Sequence, residues 1–136
     1  MNKTFVFDTN TLISASLIKK SINGTAIDKA ILSGKIAMSS QTLEELTLVI
    51  FRKKFDKYFL NDIERLEIVD KIGQNSLLFE PNIRISDCRD PKDNMILELA
   101  VAANASCIIS GDEDLLALHP FRGIPILKAP DFLKQF

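Results

Sequence analysis

Four acidic residues stand where short apolar strands end or helices begin: Asp8, Glu45, Asp93 and Asp112. A parallel α/β sheet gathers such positions in the crevice beyond the carboxyl ends of its strands. Carboxylates brought together there repel one another, and some must take up protons unless a cation joins them. The placement therefore points to a divalent-cation site. Each acid also has a structural reading. Asp8 follows Thr4 to Phe7 and leads Thr9-Asn10, so it can stop a strand or cap a helix, but in a central strand its carboxylate points into the crevice. Glu44 and Glu45 are helix neighbours about 100° apart, so both cannot face one site. Either can be a solvated helix residue, or Glu45 can close a capping box with Thr42. Asp90 and Asp93 lie three apart across a helix start. Asp90 reads as its cap, whereas Asp93 can favour the helix N-terminus and also serve a site. Asp87 reads as an exposed loop residue. Asp112 and Asp114 flank Glu113, one able to cap a helix while the other reaches a metal, with the Ser110 hydroxyl nearby.

The elements that must position these acids follow from the apolar pattern. Thr4 to Phe7, Ile36 to Met38, Leu77 to Phe79, Cys107 to Ile109 and Ile124 to Leu127 read as five short strands, the last confined to an edge by Pro125. Asn10 or Thr11 is expected to cap a helix through Leu17, followed by a turn at Asn23-Gly24 and a helix ended by Gly34. Ser39 or Ser40 caps a third helix carrying Leu43, Leu46, Val49 and Ile50. Asn61 or Asp62 caps a fourth, with Ile63, Leu66, Val69 and Ile72 facing inward. Asp90-Pro91 starts a helix from Asp93 to Asn104 that is apolar nearly all round and so largely buried. A helical turn about Pro130 to Lys134 follows. Alternating strands and helices make the fold class α/β, a parallel sheet with helices on both faces.

The 136 residues fit one domain, 1–136, and an apolar fraction of 46% can fill a core. Seventeen basic against eighteen acidic residues give a net charge of −1, which argues mildly against a nucleic-acid binder, although local patches override a neutral total. Cys88 and Cys107 lack metal-ligand spacing, Cys107 reads as a buried free thiol, and no structural disulfide is expected. The chain runs straight into Lys3 to Asp8, so no leader is expected. No apolar run approaches the ~18 residues of a membrane span, and the cytoplasm is the expected compartment.

Four stretches carry a family resemblance: Val6-Phe7-Asp8-Thr9-Asn10; Glu45 to Phe55; Asp90-Pro91-Lys92-Asp93-Asn94 leading to Leu97-Glu98-Leu99-Ala100; and Ile109-Ser110-Gly111-Asp112-Glu113-Asp114-Leu115-Leu116. Together, in order and spacing, they resemble the PIN-domain ribonucleases, of the type found as the toxin of prokaryotic (VapC-like) toxin–antitoxin pairs. The resemblance implies a PIN-like three-layer α/β/α domain with a five-stranded parallel sheet in the order 3-2-1-4-5. It selects Glu45 over Glu44 as the helix acid. It implies a catalytic set of Asp8, Glu45, Asp93 and Asp112 that also holds metal. Asp114 is then a further metal acid, Ser110 fills the family's Ser/Thr slot, and Asn10 helps arrange the first acid.

The implied reaction is hydrolysis of an RNA phosphodiester with Mg²⁺ or Mn²⁺, hard cations that prefer oxygen ligands. One or two ions would activate water, polarise the phosphoryl oxygen and stabilise the leaving 3′-oxygen, giving 5′-phosphate and 3′-hydroxyl products. No histidine is required, and His119, before Pro120, reads as structural or surface. Arg52, Lys53 and Lys54, in an aromatic stretch ending at Tyr58, are candidate RNA contacts, with Lys19 and Lys20 weaker ones. The competing reading of that stretch is an ordinary helix end. The family also implies a cognate antitoxin and a homodimer or higher homo-oligomer, with apolar surface around Leu60 to Ile72 available to either.

Two rivals remain at this level. Phe7-Asp8-Thr9-Asn10-Thr11 resembles the opening motif of haloacid-dehalogenase-like phosphatases, but that motif wants an aspartate as general acid where Asn10 stands. The other rival is a non-catalytic RNA- or protein-binding module of the same fold.

Overall fold

The computed structural model describes residues 3–18 and 20–136. Lys19 therefore lies outside the described residues, and Lys20 is exposed. Five strands form one parallel sheet in the order β3-β2-β1-β4-β5: β1 (Lys3–Phe7), β2 (Gly34–Met38), β3 (Ser76–Leu78), β4 (Cys107–Ile109) and β5 (Ile126–Leu127). β1 is central, with Phe5 in register with Ile36 on one side and Cys107 on the other. The order matches the one that the family resemblance implies. The winding reverses between β1 and β4, which opens a crevice beyond the ends of these two strands.

The strands sort their side chains by simple alternation. Phe5, Phe7, Ile36, Met38, Cys107 and Ile109 enter one buried cluster with α1 (Thr9–Leu17), α2 (Ile22–Ser33), α3 (Ser40–Ile50) and α7 (Ala129–Gln135). Val6, Ala37 and Ile108 point the other way, into a cluster built on α5 (Asn94–Ala102) and on Leu115 of α6 (Glu113–Leu116). With helices on both faces, the strands are apolar on both sides, as a parallel sheet requires. Ile96, Leu97, Leu99 and Ala100 of α5 are buried, as its composition demands. Phe132 of α7 is fully buried and packs edge-on against both Phe5 and Phe7.

Two glycine positions read differently in three dimensions. Gly34 opens β2 rather than merely ending a helix. A Cβ there would overlap the carbonyl oxygen of Lys3, so a close approach of β2 to β1 requires glycine. Asn23-Gly24 does not form a turn. Ser21 caps α2 by accepting from the Gly24 amide at 3.0 Å, which draws both residues into the first helical turn.

The fourth helix, α4 (Asp62–Gln74), departs from its expected facing. Asn61 caps it and Ile72 is buried, but Ile63 and Leu66 are 65% and 50% exposed while Arg65 is buried. Arg65 donates to the Ile50 carbonyl at 2.6 Å and to Asp56 at 2.5 Å, and its guanidinium lies over Phe51 and Phe59. These contacts tie the end of α3, and the 3-10 helix Lys53–Tyr58 after it, to α4, while the Arg65 Nε lies 3.6 Å from Asp62 without a hydrogen bond. The helix is thereby rotated so that Ile63 and Leu66 turn outward.

Smaller shifts occur at the ends of elements. α5 stops at Ala102 rather than Asn104, β3 runs Ser76–Leu78 rather than to Phe79, and β5 contracts to Ile126–Leu127 beside Pro125. His119 is structural: its Nδ1 accepts from the Ile126 amide at 2.9 Å. Cys88 and Cys107 are free and buried, and burial pushes the Cys107 thiol up to about 12, which leaves it unreactive. Among the described residues no helix is long and apolar enough to cross a membrane.

Candidate active site

The crevice at the switch point holds the acids. A cleft of about 40 Å³ is lined by Asp8, Asn10, Glu45, Arg52, Lys92, Asp93 and Asp112, among others. That volume accommodates an ion or a few water molecules.

Asp8 ends the central strand and is 7% exposed. It also caps α1, in place of Asn10 or Thr11: one carboxylate oxygen accepts from the Thr11 amide at 2.8 Å. Its other oxygen accepts a hydrogen bond from the Ser110 hydroxyl. Ser110, 1% exposed after β4, in turn accepts from the Asp112 amide at 2.9 Å. One serine thus links the first acid to the last across the two central strands. Asn10 lines the cleft and is exposed, while the hydrogen bonds on Asp8 come from Thr11 and Ser110. Asp112 caps α6 by accepting from the Asp114 amide at 2.8 Å, so the cap is Asp112 rather than Asp114.

Geometry separates Glu44 from Glu45. Glu44 is exposed, whereas Glu45 is half-buried and faces the cleft. The capping box of α3 is closed by Ser39 and Thr42: the Ser39 hydroxyl accepts from the Thr42 amide at 3.1 Å, and the Ser39 amide donates to the Thr42 hydroxyl at 2.8 Å. Glu45 is thereby left out of the box that could have claimed it.

Asp93 is the most perturbed acid. Burial first, then the charge of Asp112, a carboxyl–carboxylate contact with it and the charge of Asp90 push its carboxyl up from 3.8 to about 7, against a smaller downward pull from Lys92. Its Oδ2 is buried without a hydrogen-bond partner. Two carboxylates in contact share a proton or a cation.

Asp90 is the residue that sequence reasoning left out. It is the cap it was expected to be, accepting from the Lys92 amide at 3.3 Å. It also groups with Asp93 and Asp114, the three offering carboxylate oxygens within 4.8 Å of one another. The cause lies in the short 3-10 helix Pro91–Asp93, because residues three apart eclipse in a 3-10 turn. Asp114 thus sits with Asp90 and Asp93, beside the Asp8–Ser110–Asp112 link.

The donors fit a hard divalent cation. All are oxygens, one is a buried orphan, and the crowding that opposes ionisation of Asp93 is what a cation would relieve. Of the three basic candidates, Arg52 reaches the cleft lining. Lys53 and Lys54 do not; both are exposed, and the Lys54 amine lies over the Phe55 ring.

Comparison with solved structures finds the same fold over nearly the whole chain. PAE2754 from Pyrobaculum aerophilum superposes with a TM-score of 0.64 at 14% identity, covering 97% of this chain and 88% of that one. VapBC2 from Rickettsia felis, solved bound to a DNA fragment from their promoter, gives 0.61 at 16% identity, covering 92% and 97%. No match is found among curated proteins. The family model described as PIN domain matches residues 4–114, from the start of the central strand through the last of the clustered acids, and the chain belongs to the PIN-domain family.

Proposed function

We propose that the chain is a divalent-metal-dependent endoribonuclease and the toxin of a toxin–antitoxin pair. PIN-domain proteins are typically nucleases, and the fold is shared with the Rickettsia felis VapBC2 chain. The observation that carries the reading is the convergence of Asp8, Glu45, Asp93 and Asp112 on one cleft, where a buried oxygen of Asp93 has no hydrogen-bond partner and burial and the charge of Asp112 oppose its ionisation. A phosphatase of the haloacid-dehalogenase type gains nothing from this arrangement, since Asn10 cannot serve as its general acid.

In this reading Asp8, Asp93 and Asp112 are the metal ligands, with Asp114 and Asp90 beside them. Bound Mg²⁺ or Mn²⁺ supplies Lewis acidity to the scissile phosphoryl group and to the attacking water. Ser110 and the Thr11 amide fix both oxygens of Asp8, so its orientation is set before substrate arrives. Glu45, on the α3 wall, orients the attacking water. Thr9 and Asn10 complete the floor of the cleft, and Arg52 meets the nucleic-acid backbone.

The antitoxin would occupy a separate groove of about 570 Å³ between α2 and α4, floored by Ile27, Ile31, Ile68 and Ile72. Asp28, Glu64 and Glu67 on its rim suit a basic amphipathic segment. Ile31→Asp would abolish capture of that segment; self-association lost in this variant would instead assign the groove to a second copy of the chain.

The deciding experiment is cleavage of a labelled structured RNA pool by purified protein with Mn²⁺, Mg²⁺ or EDTA, beside Asp8→Asn. Metal-dependent cutting that drops at least about 100-fold in the variant supports the assignment. Equal cutting by both proteins, or none with either metal, refutes it.

A further inference from the structure

We propose that Lys92 is a substrate-positioning residue of this site, forming with Arg52 a pair of cations that grip backbone phosphates from two walls of the carboxylate cleft. The inference rests on the nuclease reading and adds to it how a polyanion enters an acidic pocket. Asp8, Glu45, Asp93 and Asp112 all line the cleft. Even with a divalent cation bound, four carboxylates offer a phosphodiester chain little net attraction.

Among the described residues, two cations line the cleft, Arg52 and Lys92. They come from separate elements. Arg52 follows α3 on the wall that carries Glu45 and Val49, whereas Lys92 lies in the 3-10 helix that delivers Asp93. A strand laid across the cleft would therefore meet a positive group on either wall.

Neither cation is committed elsewhere. Among the described residues the Arg52 guanidinium forms no ion pair, and its side chain is exposed. Lys92 has one partner, Asp90, at 3.8 Å, with its side chain 62% exposed. A pair that long and that wet contributes almost nothing to the fold. Asp90, moreover, is already used as a cap and as a member of the acid group. The ammonium is thus held at the rim by a weak contact that a phosphate oxygen can replace. A lysine there acts as a point charge on a flexible stem, so it recognises phosphate without reading a base.

The test measures salt-dependent binding of a short fluorescein-labelled oligouridylate by anisotropy, with Mn²⁺, in an Asp8→Asn background that prevents turnover. Lys92→Gln and Arg52→Gln should each lower affinity roughly five- to tenfold at low salt. Each should also flatten the slope of log affinity against log salt by about 0.7, with the double variant losing about twice that. Lys92→Arg should keep the slope, as should Lys134→Gln, which lies outside the cleft lining. In the otherwise native protein, Lys92→Gln should raise KM and leave kcat nearly unchanged. The Mn²⁺ midpoint in a thermal-shift titration should not weaken, which separates a phosphate contact from damage to the acids. An unchanged slope in Lys92→Gln, with binding intact, overturns the role of Lys92 alone. If neither the Asp8→Asn protein nor the wild type, with Mn²⁺ or EDTA, binds the oligonucleotide even at low salt, the nuclease reading falls with it.

Discussion

Replacing Asp93 by asparagine should stabilise the metal-free protein above neutral pH. The Asp93 carboxyl rises from 3.8 to about 7 because burial and the charges of Asp112 and Asp90 oppose its ionisation. Between those two values the folded protein keeps a proton that the unfolded chain has released, so stability falls as pH rises through that window. At ~1.4 kcal/mol per pH unit, the full rise sets a ceiling of about 4 kcal/mol. Asp93 is only part-buried, and solvent screening brings the expected cost to about 1–2 kcal/mol. Asparagine cannot ionise, and its amide can donate to Asp112. In EDTA at pH 8, Asp93→Asn should therefore melt higher by roughly 3–8 °C, as expected for a chain of this size. The gain should fade as pH falls towards 4, where both proteins carry a neutral group. Manganese should largely cancel the advantage: a metal bound at the acids stabilises the wild type by mass action, and a tenfold weaker site forfeits about 1.4 kcal/mol of that effect. Differential scanning fluorimetry across pH, with EDTA or Mn²⁺, reads all of this. A variant less stable than wild type at pH 8 in EDTA, or an advantage equal at pH 4 and pH 8, refutes the electrostatic reasoning.

Three further substitutions test other parts of the structure. Ser110→Ala removes the donor to Asp8 and the acceptor for the Asp112 amide, and should cost about 1–3 kcal/mol in urea denaturation while lowering RNA turnover more than substrate binding. Gly34→Ala sets a methyl group against the Lys3 carbonyl and should cost about 1–3 kcal/mol, visible as a lowered melting temperature with no change in Mn²⁺ affinity. Arg65→Met leaves the Ile50 carbonyl without its charged donor and should cost about 2–3 kcal/mol by chemical denaturation, with metal binding intact because Arg65 lies away from the cleft lining.

Much of the site is legible in the sequence because its acids stand at the ends of elements with clear signatures. Asp8 closes an apolar strand, Asp93 follows a proline start, and Asp112 follows the fourth strand. What stayed hidden depends on angles that residue type does not specify. Glu44 and Glu45 differ by one helical step, so residue type alone left both open; the resemblance chose Glu45, and the structure turns it, not Glu44, to the cleft. Asp90 joins Asp93 because a single 3-10 turn eclipses them, a choice made by the local backbone rather than by composition. The facing of α4 was misread for a different reason. Its apolar residues suggest one inner stripe, but Arg65 has a carbonyl, a carboxylate and two aromatic rings to satisfy, and it claims the inner position. A charged residue with enough partners can outweigh the pattern that would place isoleucine and leucine inside.

The switch point also divides the molecule's chemistry along the chain. The segment before residue 80 contributes β1, β2 and β3 with Asp8 and Glu45, whereas the segment after residue 88 contributes β4 and β5 with Asp93 and Asp112. The two are joined covalently by an irregular stretch and non-covalently by the β1–β4 pairing and the burial of Phe132 on Phe5. Cut in that stretch, the protein would become two pieces, each with half of the carboxylates and neither with a cleft. Any activity would then report their reunion, so the cleft can be handled, and switched on, as two separately inert parts.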